Sequence, residues 1–228
     1  MFILAAGRLK VGVDIDNTLV MQIHHYISHI KRDINPDFSP SDWRHWDLLE
    51  LFPDHKDKLL SFMRTYYSRD NISSQDVMHG AHEFLSRFKV ADIFYVTARS
   101  DWLFEEPKEE TIELLEENDL PFIPDNVILQ RDASSKMKKC KSLIAKEKGL
   151  SFFIEDNPDN ALKISKYCPV LLIDYPFNRN TKAKGIHRIG LFDDHSGTWS
   201  SSPWEEALKL LESGELHEIV SAFFSKKS

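Results

Sequence analysis

Three observations predict an α/β protein whose parallel sheet is covered by helices on both faces. Short apolar runs alternate with helical stretches after Gly80, those runs read as fully buried strands, and acidic or hydroxyl residues recur where the runs end. The expected architecture is a Rossmann-like, three-layer α/β/α parallel sheet with a small helical cap inserted after the first strand. Residues 1–18 and 79–228 form the expected core and residues 19–78 the cap. A chain of 228 residues suffices for one generous domain or for a core with a smaller insert.

Taken in order, the first strand runs from about Lys10 to Ile15 and ends in the stretch Val13-Asp14-Ile15-Asp16-Asn17-Thr18. From about Leu19 to Val77 the spacing turns helical: Ile23, Tyr26, Ile27 and Ile30 recur at helical intervals, as do Leu59, Phe62, Met63 and Tyr66. Between these helices, Asn35 to Trp46 carries prolines with Ser39, Ser41 and Asp42, which read as a loop and a helix cap. Beyond Gly80, Ala81 to Phe88 reads as a helix, Asp92 to Thr97 as a strand and Lys108 to Asn118 as a helix stopped before Pro121. Asn126 to Gln130 is a strand, Ser135 to Lys148 a helix ended by Gly149, and Ser151 to Ile154 a strand. Asn160 to Lys166 is a helix, Val170 to Asp174 a strand and Trp204 to Ser213 a late helix.

Composition narrows the function. A net charge of −7 argues against a surface that coats nucleic acid. The two cysteines, Cys140 and Cys168, make no CxxC pair, which disfavours a disulfide scaffold or zinc ribbon and suits a reduced, cytoplasmic setting. The opening MFILAAGRLK lacks the pattern of a signal peptide, and no apolar run nears the ~20 residues that span a bilayer. The expectation is a soluble protein with no membrane partner. Oligomeric state is not legible.

The chemistry is expected where the strands end, because parallel sheets bind ligands beyond the carboxyl ends of their strands. Those ends carry Asp14 and Asp16, then Thr97, then Glu155 and Asp156. An unpaired buried carboxylate is costly, so two aspartates at the end of an apolar strand call for a divalent cation. A calcium loop starting at Asp14 fails on position, since its sixth residue is Leu19 rather than Gly and its twelfth is His25 rather than Glu. His25 and His29 stand four apart on a helix, but Tyr26 occupies the place where a metalloprotease needs Glu, and the pair His79 and His82 is equally incomplete; packing is the simpler role for them. The chain has no GxSxG elbow, no Gly-rich phosphate loop and no GxGxxG.

The ordered set Asp14-Ile15-Asp16-Asn17-Thr18, Thr97-Ala98-Arg99, a lysine within Ser134 to Gly149, and Glu155-Asp156-Asn157-Pro158-Asp159 resembles the haloacid dehalogenase superfamily of phosphohydrolases. The run DIDNTLV, then YVTAR, a helix containing Thr111 and IEDNPDNA is similar to its 5′(3′)-deoxyribonucleotidase-like, 5′-nucleotidase type C branch. The resemblance implies that Asp14 is the nucleophile and passes through an aspartyl phosphate, while Asp16 protonates the leaving oxygen and then activates water. It implies Mg²⁺ as cofactor, held by the Asp14 carboxylate, the Asp16 backbone carbonyl and Asp156. Thr97, with the amides of Ala98 and Arg99, would bind substrate phosphate, and the Arg99 side chain would pair with phosphate or with a neighbouring carboxylate. Lys136 is the preferred cationic residue, at the first turn of an amphipathic helix with Cys140, Leu143 and Ile144, while Lys139 and Lys141 stay open. Glu155 stands where many relatives have Asp, and is expected to hydrogen-bond a metal-bound water instead of binding metal. Asp159 and Asn160 either orient the site or cap a helix.

In this superfamily an insert at the position of residues 19–78 selects the substrate. Its Trp43, Trp46, Phe62, Tyr66 and Tyr67 would either stack on a nucleobase or form the insert's own core. The expected substrate is a small phosphomonoester, with nucleoside monophosphates in the lead. A polynucleotide-end phosphatase, another small-metabolite phosphatase and a phosphate-binding regulatory module are the alternatives, and the acidic total charge speaks against nucleic acid.

Overall fold

The computed structural model describes residues 8–72, 75–130 and 140–226. β1 (Val11–Val13) leads into four helices, α1 (Ile23–Asp33), α2 (Leu48–Leu51), α3 (Lys56–Tyr66) and α4 (Arg69–Ile72). Then come α5 (Ala81–Leu85), β2 (Ile93–Thr97), α6 (Pro107–Glu117), β3 (Val127–Leu129), α7 (Lys141–Lys148) and β4 (Phe152–Glu155). The chain closes with α8 (Pro158–Ile164), β5 (Val170–Ile173), β6 (Ile186–Ile189), the hairpin β7 (Leu191–Asp193) and β8 (Thr198–Ser201), α9 (Pro203–Glu212) and α10 (Glu215–Ser225).

The expected sheet is present, parallel throughout, in the order β3-β2-β1-β4-β5-β6. β1 lies between β2 and β4, so the strand order reverses at its carboxyl end, where such sheets open a crevice for ligands. Strand alternation divides the core into two layers. Val11, Val13, Phe152, Ile154, Leu171 and Ile173 face α5, α9 and α10 through Phe84, Leu85, Trp204, Ala207 and Leu216. Phe153, Val170 and Leu172 face α7 and α8 through Ile144, Ala145, Ala161 and Ile164. Gly12 points to this second layer, and a side chain there would meet the Phe153 ring at 2.3 Å and Leu150 at 2.6 Å.

The insert has a mostly aromatic core. Tyr26 packs on Trp43, Phe62 and Tyr66, and Phe38 on Trp43 and Phe52. His29 is buried and stacks on Phe62 with ring centroids 4.1 Å apart, while His25 is exposed on the surface with its ring beside Tyr66. His79 pairs with Glu205, and His82 meets the Asp119 carbonyl. The two chain crossings between insert and sheet lie side by side, with the Met21 amide donating to Asp76 O at 3.1 Å and the Met78 amide to Leu19 O at 2.8 Å.

The sequence reading departs from the structure in two regions. The helix expected from Ser135 starts only at Lys141, because Cys140 is extended, at φ −72° and ψ 149°; the segment before Cys140 lies outside the described residues. Strands β6 to β8 and helix α10 were not expected. β6 is an edge strand with His187 and the charged Arg188, and it lacks the continuous apolar run that marks the other strands. Gly12→Ala is predicted to destabilise the protein by about 2 kcal/mol in denaturant unfolding, because the buried Phe153 ring must shift to admit a methyl group.

Candidate active site

Asp14, one residue past β1, is almost fully buried. Its amide donates to Ile154 O at 3.1 Å, so the end of β1 stays tied to β4. Gly12 and Asp14 share the face of the sheet that packs on α7, as do Phe153 and Glu155 on β4. That alternation carries both carboxylates toward the first residue of α7. There, Lys141 Nζ lies 2.6 Å from Asp14 Oδ1 and 2.9 Å from Glu155 Oε2, with the ammonium, Asp14 and Glu155 all buried.

Among the described residues, the lysine at the ends of β1 and β4 is Lys141. Lys136 and Lys139 lie outside the described residues. The extended Cys140 moves the first helical turn past the position at which the apolar spacing placed it. Glu155 has two protein partners. Its Oε2 accepts from Lys141 and its Oε1 from the Asn157 amide at 3.1 Å, so both oxygens are in use.

Carboxylate oxygens of Asp14, Glu155 and Asp156 lie within 4.8 Å of one another. Burial, followed by the Glu155 carboxylate, pushes the Asp14 carboxyl up to about 8, against the pull of Lys141. Burial raises Asp156 well above the ordinary carboxylate range for the same reason, with Glu155 and Asp14 adding to it. Three buried carboxylates thus share one ammonium. Hard oxygen donors short of positive charge suit a divalent cation, and with Glu155 taken by Lys141, Asp14 and Asp156 are the carboxylates left to hold one.

Asp16 faces away from this cluster. Arg99, whose side chain is fully buried, donates through Nη2 to Asp16 Oδ1 at 2.9 Å and through Nε to Oδ2 at 3.1 Å. Arg99 Nη1 bonds the Thr111 hydroxyl at 3.3 Å, and the guanidinium lies 5.0 Å from the Phe104 ring. The guanidinium expected on phosphate or on a carboxylate is thus committed to the carboxylate. Thr97 is fully buried and its hydroxyl accepts the Arg99 amide at 3.2 Å, closing its own turn. Register explains its place: Gly12 pairs with Phe94, so Thr97 falls on the opposite face of the sheet from Asp14. Ala98, Arg99 and Ser100 line the cavity beside Asp14 and Asp16. Asn157 caps α8 by accepting from the amides of Asp159 and Asn160, the capping alternative for this segment, while Asn160 also reaches the cavity wall.

That cavity measures about 300 Å³ and is roofed by the insert through Tyr26, Trp43, Trp46, Leu48, Met63 and Tyr67. Of the insert's expected aromatics, Trp43, Tyr66 and Tyr67 are buried in its core, whereas Trp46 is 46 % exposed and donates from Nε1 to Asp156 Oδ2 at 3.2 Å. Sequence reasoning missed Trp102, 52 % exposed on the wall formed by the loop after β2, and Gln22, which donates to Asp16 Oδ1 at 2.6 Å. Their signal was composition: a tryptophan in an acidic loop, and a glutamine where a helix start favours Ser, Thr, Asp or Asn.

The family of 5′ nucleotidase, deoxy (pyrimidine), cytosolic type C proteins matches residues 8–194, about four fifths of the chain. A search of curated proteins found no match. Among solved structures, a haloacid dehalogenase hydrolase of family IA, variant 3, from Entamoeba histolytica is 18% identical over 79% of this chain and 92% of its own, with a TM-score of 0.49. A hydrolase of the same superfamily from Deinococcus radiodurans, with bound phosphate and sodium, is 13% identical over 92% of this chain and 98% of its own, with a TM-score of 0.49. A β-phosphoglucomutase from Clostridium difficile is 11% identical over 96% and 100%, with a TM-score of 0.46.

Among the described residues no helix is long and apolar enough to cross a membrane. Lys141→Met is predicted to lower the unfolding free energy of the metal-free protein by about 3 kcal/mol at neutral pH, because it strips the buried carboxylates of their cation. Chemical denaturation reads this directly, and a loss below about 1 kcal/mol would mean that the carboxylates find their compensation elsewhere.

Proposed function

The chain belongs to the 5′ nucleotidase, deoxy (pyrimidine), cytosolic type C family of haloacid dehalogenase-like phosphoric monoester hydrolases, and we propose that it hydrolyses nucleoside monophosphates with Mg²⁺ through an aspartyl phosphate on Asp14. The observation that carries this reading is the buried Asp14 carboxylate, held by Lys141 at 2.6 Å beside Asp156 and beneath an aromatic-lined cavity. Residues 1–18 and 79–228 serve as the catalytic core and residues 19–78 as the cap that meets the substrate.

In this mechanism Asp14, the Asp16 backbone carbonyl and Asp156 would hold Mg²⁺, which would supply the positive charge that lets a carboxylate approach a phosphate. A carboxylate oxygen of Asp14 attacks phosphorus as the bond to the ester oxygen breaks, and Asp16 gives that oxygen its proton. Water then attacks the phosphorus of the aspartyl phosphate. Asp16 takes up the water's proton, phosphate leaves and the Asp14 carboxylate is restored. Lys141 supplies the fixed positive charge that the sequence reading gave to Lys136, and Glu155 holds Lys141 in place. The Ala98 amide, at the cavity wall, is the donor offered to the phosphate oxygens, since the Arg99 amide is given to the Thr97 hydroxyl. Trp46 and Trp102 offer exposed aromatic surface at the cavity to the nucleobase.

Purified protein with Mg²⁺ should release phosphate from nucleoside monophosphates, and chelation should abolish release. Asp14→Asn should lower turnover at least ~10³-fold while the protein still unfolds cooperatively. Turnover no higher than that of Asp14→Asn across a broad phosphomonoester panel would sink the enzyme reading. A preference for sugar phosphates over nucleotides would sink the substrate assignment alone.

A further inference from the structure

A buried polar chain runs from the insert to Asp16. Tyr67 Oη donates to Gln22 Oε1 at 2.9 Å, and Gln22 Nε2 donates to Asp16 Oδ1 at 2.6 Å. Since the Tyr67 proton is spent on Gln22, the 2.6 Å contact between the Tyr26 and Tyr67 hydroxyls makes Tyr26 the donor. Donors therefore point one way along the chain, Tyr26 to Tyr67 to Gln22 to Asp16. Burial holds both phenols well above their ordinary range, so each keeps the proton it donates.

Helix stability does not account for Gln22. It occupies the N-cap of α1, where a short polar side chain would bond the free amides of the first turn, and its side chain makes no such bond. Gln22 is fully buried, and its amide is directed to Asp16. Burying a polar amide and two phenols is costly unless they are matched, and the Gln22 amide finds its short partner in Asp16, with Gln75 Oε1 a longer one at 3.4 Å.

The distribution of donors on Asp16 gives that end its meaning. Oδ1 receives Gln22 Nε2 at 2.6 Å, Arg99 Nη2 at 2.9 Å and Arg99 Nε at 3.3 Å. Among the described residues, Oδ2 receives only Arg99 Nε, at 3.1 Å. Oδ1 is saturated, and Oδ2 keeps a lone pair on a residue that lines the cavity.

We propose that Gln22 and Tyr67, backed by Tyr26, are positioning residues that fix the Asp16 carboxylate so that Oδ2 is the oxygen exchanging a proton with the ester and with water. The inference rests on the reading of Asp16 given above, and it makes the aim of the proton-carrying group a property of the insert. In the first half-reaction the Oδ2–H bond breaks as the leaving oxygen gains its proton, and in the second Oδ2 takes the proton released by water. Gln22 and Tyr67 exchange no proton with the substrate.

The test compares kcat/KM for a nucleoside monophosphate, whose alkoxide needs a proton to leave, with that for p-nitrophenyl phosphate, whose phenolate leaves without one. In Gln22→Met and in Tyr67→Phe, kcat/KM for the nucleotide should fall about tenfold and that for p-nitrophenyl phosphate by less than about twofold. Equal losses on the two esters, or no loss on either, overturn the positioning role, since a merely structural contact would not discriminate between leaving groups. A second measurement is independent of catalysis. In metal-free protein, Gln22→Met should lower the unfolding midpoint more in the Asp16 protein than in an Asp16→Ala background, and equal lowering overturns the contact. Full turnover in Asp14→Asn would instead overturn the reaction itself, and this inference with it.

Discussion

The ammonium of Lys141, buried between Asp14 and Glu155, is the interaction on which the rest of the site depends. Taking these charges out of water costs several kcal/mol per ion, and the short contacts of the ammonium to both carboxylates offset part of that cost. Sheet order makes that possible. β1 and β4 are neighbours, Val13 pairs with Ile154, and side-chain alternation sends Asp14 and Glu155 to one face, toward the start of α7. Glu155 contributes as an anchor for the cation rather than as a spare ligand, with its second oxygen fastened to the Asn157 amide.

A second set of contacts fixes the turn that separates the two aspartates' directions. Asn17 takes a left-handed conformation at φ 58°, which asparagine tolerates better than most residues, and the chain reverses so that Leu19 and Val20 donate back to Ile15 O. Tyr175 Oη donates to Asn17 O at 2.7 Å, and Trp204 Nε1 to Thr18 O at 2.9 Å, so fully buried rings from far along the chain brace this turn. Asp156 is supported in the same way. Asn178 Nδ2 bonds its carbonyl at 2.8 Å, while Arg188 ties Asn178 to Asp174 at the end of β5. The unexpected edge strand β6 thereby has a use: it delivers Arg188 to the network behind the site.

The sheet, its parallel sense and the acidic strand ends were legible in the sequence because continuous apolar runs and turn residues report burial locally. Asp14, Asp16 and Asp156 announced themselves as carboxylates where an apolar strand has no use for them. The lysine was harder to place. Amphipathic spacing continues through Ser135 to Lys148, but spacing has no information on where φ and ψ leave the helix, and the extended backbone at Cys140 made Lys141 the first helical residue. Arg99 was left between phosphate and carboxylate because the choice depends on Asp16 and Thr111, whose proximity is a product of tertiary structure. Gln22 was invisible for the same reason. Edge strands and hairpins such as β6 to β8 carry no continuous apolar signal at all.

The two aspartates outside the Lys141 pair are each touched by the insert: Trp46 donates to Asp156, and Gln22 donates to Asp16. An insert that only shaped the mouth of the cavity would leave those carboxylates to the core. Here, displacing it would remove a donor from both at once, and in a buried site the loss of a donor disturbs both the charge and the aim of the group that accepted it. The paired crossings, at Leu19 to Met21 and Asp76 to Met78, are joined by backbone hydrogen bonds, and Gln22 follows the first of them directly in the chain. One position of the insert therefore sets both the lining of the cavity and the donors on Asp16 and Asp156. A substitution at Tyr67, which lines the cavity and donates to Gln22, reaches the site through hydrogen bonds as well as through the shape of the pocket.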